Sequence, residues 1–108
     1  EATARLNGGQ TTAEGTAAIN AIRARANATT RTTSYALSDI IDEWSREFYF
    51  EGRRRTDLIR FGKFGGNSDY TWTWKGGTHA GRNFSSDKNI FAIPESQVKG
   101  AITQNPGY

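Results

Sequence analysis

The stretch Leu37-Ser38-Asp39-Ile40-Ile41-Asp42-Glu43-Trp44-Ser45-Arg46-Glu47-Phe48 decides the fold. Leu37, Ile40, Ile41, Trp44 and Phe48 recur at steps of three and four residues, which gathers them into one apolar stripe on an α-helix. Ser38 is the expected N-cap, and Asp39, Asp42 and Glu43 place negative charge in the first turns, where the helix dipole favours it. The spacing predicts a helix over 38–51. Tyr49 and Phe50 point off the stripe, so its last turn is expected to be enclosed. Gly52 interrupts it, and a shorter helix is predicted over about 54–61. Upstream, Thr11 and Glu14 stand three apart like a capping box and open a predicted helix over about 12–27. Gly15, Ala18, Ile19, Ile22 and Ala26 share one arc of that helix, with Asn20, Arg23 and Asn27 opposite. Residues 1–12 read as loop or a frayed end. The Thr- and Ser-rich segment 28–36 reads as a connection, so the two main helices are expected to form a hairpin. No second copy of the pair is found, so no repeat array is implied. The fold class is mainly α: a helical hairpin followed by an irregular, aromatic- and Gly-rich tail over 62–108.

Composition narrows the class. The chain has 108 residues, 14 Lys and Arg against 11 Asp and Glu, no Cys and no Met. A net charge of +3 is too small to keep the chain unfolded, and 3 Trp, 4 Tyr and 6 Phe supply core material where aliphatic residues are few. The lone Val98 argues against a β-sandwich or barrel. There is no apolar run long enough to span a membrane and no signal peptide. The lack of Cys excludes disulfides and thiolate zinc sites. A chain that opens on Glu1 and contains no Met is expected to be part of a longer protein.

The densest charge lies in Glu51-Gly52-Arg53-Arg54-Arg55-Thr56-Asp57-Leu58-Ile59-Arg60. Four arginines suggest phosphate binding, but acids and bases balance between Ser38 and Lys63. Helical spacing sets Asp42 over Arg46, Glu51 over Arg55 and Arg53 over Asp57. The expectation is an internal ion-pair network of Asp42, Arg46, Glu47, Glu51, Arg53, Arg54, Arg55, Asp57 and Arg60 that fixes the helix bend. Nucleic acid is not an expected partner. Glu43, Glu47 and Glu51 form a carboxylate ladder, yet the single His79 lies far off in a Gly-rich loop, so no metal, catalytic or cofactor site is expected. The glycine pairs fit no phosphate loop, and Asn67 with Asp69 is only a fragment of a calcium loop. Tyr70, Trp72 and Trp74 alternate with Asp69, Thr71, Thr73 and Lys75, the period of a short strand or extended loop. Their rings are expected to share one face. Packing is favoured for that face, with a sugar-stacking platform or nucleobase stacking as the ligand-binding alternatives.

Taken in order, the motifs resemble those of the SusD/RagB outer-membrane nutrient-binding family. The resemblance rests on Ile19-Asn20-Ala21-Ile22-Arg23-Ala24-Arg25-Ala26, then Leu37 to Glu43, Arg46-Glu47-Phe48 and Phe50-Glu51-Gly52. It continues through Arg54, Asp57-Leu58-Ile59-Arg60, Phe61-Gly62-Lys63-Phe64, Trp74-Lys75-Gly76-Gly77, Asn89 to Pro94 and Thr103 to Tyr108. Trp44, Arg53 and Ala92 depart from the residues usual there. The resemblance implies a tetratricopeptide-like helical scaffold in a non-catalytic surface lipoprotein of the Gram-negative outer membrane. It also implies a glycan or other nutrient as ligand and a SusC-like TonB-dependent transporter as partner. Residues 1–108 then correspond to the C-terminal portion, mainly scaffold, joined to the remaining N-terminal part of the protein. The resemblance transfers no binding residue, which leaves Tyr70, Trp72 and Trp74 as the only ligand-contact candidates.

Overall fold

Thr11 and Thr12 show how the helices are set. In the computed structural model, which describes residues 1–66 and 69–108, the chain divides into a unit of residues 1–51 and a unit of residues 52–108. The first unit carries α1 (Ala2–Leu6), α2 (Ala13–Arg25) and α3 (Leu37–Glu47). The expected loop at the start is therefore partly helical, with Ala4 fully buried. The N-cap of α2 is Thr12, whose hydroxyl accepts from the Gly15 amide at 3.2 Å. Thr11, the residue expected in that role, is buried instead. Its hydroxyl lies 2.7 Å from that of Thr16 and accepts from the Tyr35 amide at 2.8 Å.

The connection 26–36 does not simply turn the chain round. Arg23 donates to the Thr29 carbonyl, and Asn20 grips Arg31 on both sides, donating to its carbonyl at 2.7 Å and accepting from its amide at 3.1 Å. Ser34 then reaches Gln10, and the Thr11 amide donates to the Tyr35 carbonyl at 2.9 Å. The connection thus runs back along α2 to its start before α3 begins. Cross-links ascend together: Thr11 with Tyr35, Arg23 with Glu43, Arg25 with Glu47. α2 and α3 point the same way, and the expected hairpin is not formed.

α3 also starts off its expected cap. Ala36, in extended conformation, is the N-cap, and Asp39 accepts from its amide at 2.9 Å, so Ser38 lies inside the helix. The helix ends at Glu47 rather than 51. Phe50 takes a left-handed φ of 65°. Tyr49 and Phe50 are 74% and 91% exposed, which corrects the expectation of an enclosed last turn. Tyr35, Ile40 and Ile41 join Ala4 in the core of this unit. The small-residue arc of α2 (Gly15, Ala18, Ile19, Ile22) faces Ile40, Trp44 and Phe48 across an open groove of about 320 Å³. The polar arc holds the returning connection.

The second unit holds α4 (Arg54–Arg60), with Leu58 buried, and then single turns of 3₁₀ helix at Lys75–Gly77, Ser86–Asn89 and Glu95–Gln97. Side chains bind this tail together. Gln104 accepts from the Ile93 amide and donates to its carbonyl, both at 2.8 Å, as a partner strand would. Asn105 donates to the Phe91 carbonyl, Lys88 to that of Gly107, and Tyr108 to that of Ile90. Among the described residues, pairing is limited to two isolated bridges, Gln10 with Ala36 and Gly65 with Phe84. The chain is mainly helical, with almost no strand.

Candidate functional site

The segment 70–82 is built round a lysine. Lys75 is 1% exposed, and its ammonium donates to the Tyr70 carbonyl at 2.7 Å, to Asn83 Oδ1 at 3.2 Å and, longer, to the Lys63 carbonyl at 3.4 Å. It also lies 4.8 Å from the centre of the Trp72 ring and 5.8 Å from that of Phe84. Among the described residues no carboxylate reaches it, and burial pushes its pKa below the ordinary lysine range. The backbone closes over this charge. The Lys75 amide donates to the Trp72 carbonyl, Arg82 to the Lys75 carbonyl, Gly77 to that of Trp74 and Trp74 to that of His79. Gly81 is required where it stands, because a Cβ there would come within 2.4 Å of the Trp72 carbonyl oxygen.

The alternation expected for Tyr70 to Lys75 is therefore broken. No strand forms, the lysine assigned to the polar side is the buried residue, and the three rings have different partners. Tyr70 is half-buried and its hydroxyl takes a bond from Arg54 at 2.6 Å. Trp72, 39% exposed, meets Tyr70 edge-on at 6.1 Å and covers Lys75. Trp74 is 64% exposed at a left-handed φ of 70°, and its ring meets that of His79 at 5.4 Å and 89°. Sequence reasoning set Lys75 on the polar side and His79 alone in a loop, and so missed the burial of the one and the ring contact of the other. The legible signal was a lysine enclosed between Trp74 and a glycine pair, where a merely solvated one has no need of such neighbours.

The arginines go to several kinds of partner. Asp57, buried, accepts from Arg60 at 2.9 Å and lies 4.0 Å from Arg53. Arg55 donates to the carbonyls of Lys88 and Ile90, and its guanidinium lies 3.7 Å from the Phe91 ring centre and 5.0 Å from that of Phe64. Arg55 is thus engaged by carbonyls and rings of its own unit, and the Glu51 side chain is exposed. Arg46 pairs with Glu43 at 2.9 Å, and Glu47 with Arg25. Glu43 also takes Arg23 at 2.6 Å, so two rungs of the carboxylate ladder hold α2. Asp42 lines a small polar pocket with Arg23, Arg31, Tyr35, Asp39 and Arg46. Within it Arg31 grips Asp39 through two 3.0 Å bonds, which lowers the Asp39 pKa and raises that of Arg31. Lys63 likewise lowers Asp69. Asn67, the other half of the calcium-loop fragment, lies outside the described residues. Among the described residues no three His, Asp or Glu side chains gather as a metal site would need, and no helix is long and apolar enough to cross a membrane.

The SusD family model matches residues 1–108. The chain belongs to the SusD family. It is 45% identical over 97 residues to the starch-binding protein SusD of Bacteroides thetaiotaomicron, which covers 88% of this chain. This SusD-family chain spans only about 17% of that relative's length.

Proposed function

We propose that the chain is the C-terminal, mainly scaffolding portion of a non-catalytic glycan-binding protein. In this reading the full protein is a surface lipoprotein of the Gram-negative outer membrane that delivers its ligand to a SusC-like TonB-dependent transporter. The observation that carries it is the 45% identity to a protein named for starch binding, within a family match over the whole chain. The helical architecture supports a tetratricopeptide-like scaffold with a particular division of labour. Because α2 and α3 point the same way, each takes its antiparallel neighbour from the remaining N-terminal part of the protein.

The α2–α3 groove favours a second reading, a helical docking module without a ligand site of its own. Titrating the full-length protein with maltoheptaose separates the two. The glycan reading expects saturable binding that barely responds to salt between about 50 and 200 mM, whereas binding to phosphates weakens steeply over that range. Failure to bind favours the docking module. The charge chemistry also argues against nucleic acid, since Arg53, Arg54, Arg55 and Arg60 all have partners within their own unit.

A further inference from the structure

We propose that Trp74, with His79 at right angles to it, is a stacking platform for the apolar C–H face of a pyranose ring, an inference that rests on the glycan reading above. Three observations converge on this pair. First, the three candidate rings have different surroundings. Tyr70 is held by Arg54, and Trp72 lies over the Lys75 ammonium, so both belong to the packing of the loop. Trp74 meets one ring, at right angles, and offers 64% of its surface to solvent.

Second, the backbone under Trp74 makes no sense as folding economy. A left-handed φ of 70° is strained for an L-residue with a side chain, and glycine or asparagine would relieve it. An exposed indole offsets little of that strain through burial. The conformation is nonetheless held from both sides, by the Trp74 amide on the His79 carbonyl at 3.2 Å and by the Gly77 amide on the Trp74 carbonyl at 3.0 Å. The adjoining Lys75 ties the turn to Tyr70 and Asn83 on either side of it. A large flat ring fixed outward on a rigid turn loses little freedom when a ligand lands on it.

Third, the neighbour has the right chemistry. Among the described residues neither ring nitrogen of His79 makes a hydrogen bond, and His79 is exposed. A neutral imidazole offers one donor and one acceptor, which suits a sugar hydroxyl at the edge of a stacked ring. Indole face and imidazole edge together supply what an amphipathic pyranose requires.

The test uses the full-length protein and Trp74→Gly, which deletes the ring while suiting the left-handed backbone. Calorimetric titration with maltoheptaose should show affinity falling about tenfold or more, with the melting temperature unchanged or raised. His79→Ala should weaken binding about threefold to fivefold, and Trp74→Phe should recover part of the loss from Trp74→Gly. A Trp74→Gly protein that binds as wild type overturns the platform and leaves the glycan reading standing. One that melts well below wild type also overturns it, by making the ring structural. Wild-type protein that takes up no maltoheptaose removes the glycan reading and the platform with it.

Discussion

A buried ammonium without a carboxylate is an expensive residue, and Lys75 survives because dipoles and rings replace its water. Replacing it by Met retains most of the bulk but strands the Tyr70 carbonyl and Asn83. Lys75→Met should therefore cost about 1–3 kcal/mol, seen as faster hydrogen exchange at the Trp74, Gly77 and Gly81 amides. Linkage gives a second signature. The folded-state pKa lies below the unfolded value of 10.5, so the unfolded chain binds more protons between the two. The cost of burying the charge is fully present below the folded-state pKa and is relieved as pH rises through it towards 10.5. Wild type should gain protection relative to Lys75→Met over that interval, and a falling difference would contradict the assignment. Asp39 works in the opposite range. Arg31 holds its pKa below 3.8, so its contribution is present above 3.8 and is lost as acid takes the pH through the lower folded value. Asp39→Ala should remove this acid-range slope and about 1 kcal/mol of capping, both measurable by urea unfolding across pH.

At the scale of elements, the stripe of Leu37, Ile40, Ile41, Trp44 and Phe48 was legible because periodicity is a property of the helix itself. Ile40 and Ile41 are buried, while Trp44 stacks on Phe48 at 4.8 Å. The start of α3 was less legible, because its cap comes from Asp39 inside the helix, which reaches back to Ala36. α1 left no pattern to read, since Ala2–Leu6 is too short to show a period and stands through the burial of Ala4. The relative sense of α2 and α3 was hidden for another reason. A Thr-rich connection of that length permits either direction, and the choice lies with Asn20 and Arg23, which fasten it back along α2. Nor did alternation of aromatic residues show that Lys75 is the buried side chain, because the turn at Trp74 breaks the period. Asn20 also accepts from the Tyr35 hydroxyl at 2.7 Å. Asn20→Ala should thus lower stability by about 1–3 kcal/mol and release amides in 29–35 to exchange, whereas exchange confined to the termini of α2 would contradict its role.

For the whole molecule, the decisive feature is that the first unit leaves Ile19, Ile22, Trp44 and Phe48 along an open groove. Glycine and alanine at positions 15 and 18 lower one wall of it, the arrangement that lets another helix approach closely. A chain that spans about 17% of its starch-binding relative is part of a larger helical assembly in the proposed reading, which expects the N-terminal part to seat in the groove, whereas the docking-module reading leaves the groove open to a separate partner. Ile22 gives a direct test, since it is only half-buried within this chain. Were the groove open in the full-length protein, Ile22→Asp would change stability little. If another helix covers it, the carboxylate is forced into an apolar contact and the loss should reach about 2 kcal/mol or more. Melting the full-length variant beside wild type distinguishes these outcomes. Hydrogen exchange adds the location, because opening of the groove should release amides of α2 and α3 while those near Lys75 keep their protection.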